Sequence, residues 1–278
     1  MLTMNDSFSP ARIAALTNKY LKENWRGLLL KTGTMYGMMI LMALLFVWGF
    51  NESYNTTFYP AIYEAESSGV EKDPAWLSMF NAMIFGSYLF ISISASLTFS
   101  DMSSKQGRLG VITFPSRNIE KFITRCIVYI IGGTLLYIGS CLVAETVRVA
   151  FLKAIVQEPS MVHFLNFNIM FTDMLGNNGT TAVIYFLLLS QALFLLGGTV
   201  WPKFAFVKTF IFLSVLVIAY AFIFYLTTES LGKFSQLYVA YSDSVVSLIL
   251  KAVVWTVVIF CYVTSFFRFK EMEIINRW

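Results

Sequence analysis

The chain has 278 residues, of which 57% are hydrophobic and only 13% are charged, and its formal net charge is +4. A soluble globular domain usually carries about a quarter charged residues, so this composition excludes an ordinary soluble protein. The mean hydropathy of +0.68 indicates instead a chain that lies largely within a lipid bilayer.

Six apolar runs are long enough to cross a bilayer, at residues 32–51, 74–100, 126–144, 174–202, 209–228 and 244–267. Each can hold the roughly 20 residues that a transmembrane helix needs. Backbone groups in lipid must be satisfied internally, and the alternation typical of a barrel strand is absent. We therefore expect an all-α polytopic membrane protein with six transmembrane helices in a single transmembrane domain, 1–278.

The basic residues are distributed unevenly between the segments that connect these runs. Fifteen Lys and Arg residues lie in the N-terminal segment, loop 99–125, loop 202–208 and the C-terminus, against four in the alternate segments. Positive charge stays on the cytoplasmic side of a membrane. The sequence thus predicts that both termini are cytoplasmic.

Residues 9–28 precede the first apolar run and have the pattern of an amphipathic helix. Ser9 followed by Pro10 suits a helix start. One face is apolar, with Ile13, Leu16, Tyr20 and Leu21. We expect an interfacial helix on the membrane surface; the alternative is a lead-in helix that packs on other loops.

Two segments on the opposite side of the membrane have helical character. Segment 145–180 begins with Glu145 and Arg148, whose spacing makes them neighbours on a helix. The third helix should therefore extend beyond the bilayer to about Lys153. Loop 228–246 contains a helical apolar stripe of its own.

Catalytic and metal-binding motifs are absent from the sequence. There is no nucleotide-binding P-loop, no G-x-S-x-G and no H-E-x-x-H. His163 is the single histidine, and the three cysteines lie inside apolar runs without metal-ligand spacing. We expect no catalytic residue, metal site or cofactor on this chain, and no nucleic-acid partner.

Lys251 is the one charged residue inside an apolar run. A charge within a membrane span is costly and is a candidate for a functional role. The alternative is that the Lys251 side chain reaches along the helix to the nearby membrane surface.

The loop between the second and third apolar runs ends in the stretch LGVITFPSRNIEKFITRC, residues 109–126. Pro115 disfavours a continuing helix, so a new helix should begin after it. An apolar stripe follows at helical spacing, with Arg117, Lys121 and Arg125 on another face and Glu120 able to pair with Arg117. Such a helix either anchors the chain to anionic lipid heads or is presented to a cytoplasmic partner.

This stretch resembles a motif of the membrane subunits of type-2 ABC exporters, the ABC type-2 permeases. One bacterial branch has Leu-Pro-Ala-Ser, two variable residues and Glu-Lys-Phe, and this chain has FPSRNIEKF at 114–122. Pro115, Glu120, Lys121 and Phe122 match at the same spacing. The family's serine position is Arg117 here, which removes a capping box with Glu120, so Ser116 is the alternative cap.

The resemblance implies a permease subunit in the bacterial inner membrane, not itself an enzyme. Two such subunits, identical or paired with a related permease, would bind separate ABC ATPase chains that hold ATP and Mg. The 101–125 loop would be the coupling loop, with contacts at Lys105, Arg108, Pro115, Arg117, Glu120 and Lys121. Segment 228–246 would be an outer re-entrant helical segment, and membrane lipids would surround the dimer.

Two other function classes fit the same topology. A non-transport anchor, assembly factor or sensor subunit would need no ATPase. An ion-coupled carrier would need acidic groups at midplane depth, and the apolar runs contain none. The sequence does not identify the exported substrate.

Overall fold

The computed structural model describes residues 9–56, 75–104, 106–107, 116–155, 162–166, 176–231 and 243–274. These residues form seven α-helices in chain order: α1 Pro10–Thr56, α2 Ala75–Ser96, α3 Asn118–Cys126, α4 Gly133–Ile155, α5 Gly176–Val200, α6 Ala205–Leu231 and α7 Asp243–Ile274. A 3₁₀ helix, Leu97–Ser103, continues α2, and a π-helical segment, Ile127–Gly132, joins α3 to α4. The described residues contain no strand.

Six helical stretches are long and apolar enough to cross a membrane, as predicted. They are Pro10–Leu45, Met79–Ser103, Asn118–Ile155, Gly179–Val200, Ala205–Ile223 and Lys251–Glu271. The third helix ends at Ile155, close to the expected end at Lys153. Most of segment 228–246 lies outside the described residues, between the end of α6 and the start of α7.

The first helix is one continuous element of 47 residues. Residues 9–28, predicted as an interfacial helix, lead into its first part without a break before the apolar run. No proline follows Pro10 within α1, so nothing interrupts its hydrogen-bond ladder. At about 1.5 Å per residue α1 is about 70 Å long, more than twice the roughly 30 Å hydrocarbon core of a bilayer.

The chain divides into two compact units, Met1–Ile91 with Ile127–Leu187 and Ser92–Cys126 with Leu188–Trp278. The core of the first unit is formed by residues of α1, α2, α4 and the 162–166 segment, among them Met39, Met79, Tyr137 and Leu165. Close packing explains two glycines. A Cβ at Gly86 would lie 2.8 Å from the Tyr137 hydroxyl, and one at Gly139 would lie 2.6 Å from the Tyr36 hydroxyl.

Contacts in the first unit show that α1 and the third transmembrane helix run in the same direction. The hydroxyls of Tyr20 and Tyr129 lie 3.1 Å apart. Further along both elements, Tyr36 packs on Gly139. The first and third spans of a chain that crosses a membrane repeatedly should run this way.

In the second unit, α5 packs on α7 through a small apolar core that includes Ala192, Val258 and Cys261. The glycines at the end of α5 allow close approach to other elements. A Cβ at Gly198 would lie 2.8 Å from the main-chain oxygen of Ser96, and one at Gly197 would lie 1.9 Å from the Thr209 hydroxyl. Helix α6 exposes most of its apolar side chains, as expected of a helix with a large lipid-facing surface.

Candidate functional site

The 101–125 loop includes the end of the 3₁₀ helix and nearly all of α3, and both of these elements belong to the second unit. Of the residues predicted to make the coupling contact, Lys105, Arg108 and Pro115 lie outside the described residues. Arg117, Glu120 and Lys121 lie at the start of α3. The structure therefore describes both ends of the loop and part of the predicted contact surface.

Helix α3 begins with half of a capping box. The main-chain N–H groups of Glu120 and Lys121 donate to the Arg117 carbonyl, at 3.0 and 3.1 Å. The Arg117 main-chain N–H donates in return to Glu120 Oε2, at 3.4 Å. A carboxylate in the first turn also faces the positive end of the helix dipole. Replacement of the family's serine by Arg117 thus leaves the Glu120 half of the box in place.

The alternative cap predicted at Ser116 is not formed. Ser116 Oγ is buried and has no hydrogen-bond partner among the described residues. A capping side chain reaches the second or third N–H of the helix from the cap position, which Arg117 occupies here. Ser116 lies one residue before that position.

Helix α3 packs on the 3₁₀ helix and on α7 through residues of both its faces. Phe122 of the apolar stripe and Arg125 of the basic face contact rings of these two elements. Lys121 and Arg125 are buried, as are Glu120 and Thr124, whereas Ile119, the first residue of the apolar stripe, is 43% exposed. The sequence separated the two faces but did not indicate that basic side chains would be buried.

An aromatic cluster with a buried cation at its centre lies where these three elements meet. We call it the Arg125 cluster; it consists of Phe99, Phe122, Arg125, Phe266 and Phe269. The Phe99 ring lies 5.8 Å from Phe122 and 5.5 Å from Phe269, between centroids. The Phe122 ring lies 5.6 Å from Phe266 and 6.0 Å from Phe269.

The Arg125 guanidinium contacts two of these rings. Its central carbon lies 5.9 Å from the Phe99 ring centroid and 5.6 Å from that of Phe269, within the range of a cation–π interaction. Phe99 and Phe269 are fully buried, and Arg125 is 5% exposed. Sequence reasoning counted Arg125 only as a cytoplasmic charge, since the rings come from segments far apart in the chain.

Buried polar atoms without a partner are concentrated at this site. Among the described side chains there are four: Thr98 Oγ1, Ser116 Oγ, Thr124 Oγ1 and Arg125 Nη1. Buried hydroxyls elsewhere donate to their own helix, as Thr209 does to the Ala205 carbonyl at 2.8 Å. An unsatisfied buried group costs about 1–3 kcal/mol, and hydrogen bonds among the described residues do not satisfy these four atoms.

A tight turn follows the 3₁₀ helix. The Gly107 main-chain N–H donates to Ser104 Oγ at 3.0 Å. A Cβ at Gly107 would lie 1.9 Å from the main-chain oxygen of Asp101, which is closer than any side chain can approach. Glycine is therefore required where the chain turns back on the end of the 3₁₀ helix.

Lys251, the charged residue predicted within the last apolar run, is exposed. It lies about two turns into α7, which begins at Asp243. A lysine near the end of a span can extend its ammonium group into the polar interface. The exposure of Lys251 agrees with the alternative in which it reaches the membrane surface, and its role stays a prediction.

A second polar site, in the first unit, joins α4 to the 162–166 segment. Glu145 and Arg148 are buried, and their bidentate contact has Nη2–Oε1 and Nε–Oε2 distances of 2.7 and 2.9 Å. Arg148 also donates to the His163 carbonyl at 3.0 Å, and the Leu165 main-chain N–H donates to Glu145 at 2.8 Å. The predicted helical neighbours are therefore a clamp that holds a distant segment, which their spacing alone did not indicate.

Among the described residues, no three His, Cys, Asp or Glu side chains lie close enough together to bind a metal ion. Comparison with protein-family models, with curated proteins and with solved structures finds no match to this chain.

Proposed function

We propose that this chain is the membrane-spanning permease subunit of an ATP-driven type-2 ABC exporter. The observation that carries the proposal is the form of the 101–125 loop. The third membrane-crossing stretch, Asn118–Ile155, begins there within the FPSRNIEKF motif, its first turn is capped by Glu120, and α3 at its start packs directly on the last transmembrane helix. A loop that only anchored the chain to lipid would not need this contact.

The proposed mechanism divides the work between two chains. ATP and Mg bind to a separate ABC ATPase chain, since this sequence has no P-loop. The ATPase contacts the 101–125 loop, and closure of the ATPase pair displaces the loop and the helices that continue from it. A homodimer, or a heterodimer with a related permease, then moves its substrate outward across the bacterial inner membrane.

Arg117 offers the sharpest point mutation, because its side chain is exposed while Glu120 and Lys121 are buried. Charge reversal at Glu120 would place a cation in the protein interior and remove the helix cap, so it would not separate coupling from folding. Arg117→Glu reverses a surface charge within the proposed contact. Lys208→Glu is the matched control, since Lys208 is also exposed at the start of a helix, in a different loop.

The test is gentle extraction of the tagged chain from its native membrane and identification of what copurifies. The proposal predicts a stoichiometric P-loop ATPase, which Arg117→Glu weakens about tenfold or more while Lys208→Glu does not; loss of a central interface charge costs on this scale. The chain alone, even after cross-linking through the 101–125 loop, would contradict the proposal and favour an anchor, assembly or sensor subunit.

An ion-coupled carrier would reveal itself by gradient-driven transport in liposomes without any ATPase. The one buried carboxylate described on α4, Glu145, already accepts hydrogen bonds from Arg148 and from the Leu165 main chain. A carboxylate held in this way is poorly suited to exchanging a proton or an ion. The geometry therefore gives the carrier no support.

A further inference from the structure

The Arg125 cluster connects three segments that have different positions relative to the 101–125 loop. Phe99 belongs to the 3₁₀ helix that leads into the loop, and Phe122 and Arg125 belong to α3, which forms the end of the loop. Phe269 belongs to α7, the last transmembrane helix. The cluster is thus a direct physical connection between both ends of the loop and α7.

The spacing of these residues places them on the contacting sides of their helices. Phe122 and Arg125 are three residues apart on α3 and share a face. Phe266 and Phe269 are likewise three apart on α7, and the small Ser265 beside them is fully buried. Phe122 on α3 therefore contacts both Phe266 and Phe269 on α7, and Arg125 contacts Phe269. The two helices thus meet through several side chains.

Arginine is an expensive choice for this position if packing is its only role. The guanidinium is buried against two ring faces, and its Nη1 has no hydrogen-bond partner among the described residues. A methionine or leucine would fill a similar volume without removing a charge from water. The residue present is therefore better explained by the geometry it enforces, a flat cation that contacts both Phe99 and Phe269, than by stability.

We propose that Arg125 is a positioning residue that holds the end of the 101–125 loop, to which it belongs, against α7, so that a displacement of the loop is transmitted to the last transmembrane helix. The inference rests on the proposed function, because the ATPase supplies the displacement. The joint itself is a property of this chain alone, and it can be tested with or without an ATPase.

The first experiment measures the joint in the purified full chain. Spin labels are placed at Ile119 on α3 and Lys270 on α7, both exposed and outside the cluster. A rigid joint predicts one narrow distance distribution by pulsed electron paramagnetic resonance. Arg125→Met should broaden the distribution by about twofold or more, since local order depends on the buried contacts of the segment.

The matched control is Arg268→Met. Arg268 is also an arginine at this end of α7, but it is partly exposed and pairs with Glu271 on its own helix at 3.0 Å. Its loss should leave the distribution narrow. Arg125→Lys keeps the charge without the planar group, so it should restore the narrow distribution only in part.

The second experiment uses the complex with the copurified ATPase. The ATP site lies on the ATPase chain, so Arg125→Met should leave KM for ATP unchanged. The change in kcat that the permease imposes on the ATPase should fall by about tenfold. A purely structural role would lower the amount of assembled complex without this separation of kcat from KM.

An unchanged distance distribution in Arg125→Met would overturn the proposal, and so would unchanged control of kcat in its assembled complex. If Arg125→Met does not fold, Phe269→Leu removes one ring face and keeps an apolar side chain, and the same two results apply to it. Failure of the wild type to bind any ATPase would overturn the proposed function alone, because the distance measurement on the free chain still decides whether the joint exists.

Discussion

The buried clamp between Glu145 and Arg148 permits a test by paired substitution. Glu145→Gln should lower the stability of the otherwise unchanged protein but raise it when Arg148 is already replaced by Met. Arg148→Met leaves the Glu145 carboxylate buried without its counter-charge and leaves the His163 carbonyl without the Arg148 donor. Removal of one partner from a buried ion pair costs about 3–5 kcal/mol. At about 2–4 °C per kcal/mol, the apparent melting temperature should fall by on the order of 10 °C.

Glu145→Gln should also destabilise the otherwise unchanged protein, by about 2–3 kcal/mol, because it leaves the Arg148 cation buried without a negative charge. In the Arg148→Met background the same substitution should stabilise. The glutamine oxygen can still accept from the Leu165 main-chain N–H, and no charge is buried. The His163 carbonyl still lacks the Arg148 donor, so the double variant should be about 1–3 kcal/mol below the wild type.

The assay is the fraction of monodisperse protein that survives heating in one detergent, measured by size-exclusion chromatography for all four proteins of the cycle. Thr146→Ala, at an exposed position between the two clamp residues, is the control and should lie within about 0.5 kcal/mol of wild type. If Glu145→Gln lowered the melting temperature equally in both backgrounds, the clamp would not be an energetically coupled pair and the reasoning would fail.

The other predictions concern the contact of Gly198 with Ser96 and the role of Lys251. Gly198→Ala should destabilise by about 1–3 kcal/mol, because its Cβ would lie 2.8 Å from the Ser96 main-chain oxygen. Gly33→Ala, whose Cβ meets nothing within 4 Å, should stabilise by up to about 1 kcal/mol from helix propensity; equal melting temperatures for the two would contradict the packing of α5 on Ser96. Lys251→Leu should change stability by less than about 0.5 kcal/mol and leave ATPase copurification intact, and a loss of copurification would instead assign Lys251 an internal role.

Hydropathy was sufficient to predict the membrane-crossing helices because lipid places the same requirement on every span. Each must be apolar and must satisfy its backbone internally, and both properties are local. The third helix ended two residues beyond the predicted position, at Ile155. The predicted interfacial helix was expected to end at residue 28, but α1 continues through that residue without a break. The surface of the helix changes there from polar to apolar, and such a change does not require the helix to end.

The burial of Arg125 in α3 was not predicted, for a different physical reason. Periodicity gives the two faces of an amphipathic helix, and the usual assumption is that the charged face meets water. Here Arg125 is buried because Phe99 and Phe269 offer ring faces to its guanidinium. Nothing in the local pattern of α3 indicates that rings from two distant segments meet at that point.

The sequence by itself determined the class of the protein, the number of membrane-crossing helices and the motif on which the exporter proposal rests, since hydropathy, charge and short motifs are written into neighbouring residues. Only the tertiary structure decided that Glu145 and Arg148 contact residues 162–166, and that Arg125 packs on Phe99 and Phe269. These are contacts between segments far apart in the chain, and their partners depend on how the helices pack.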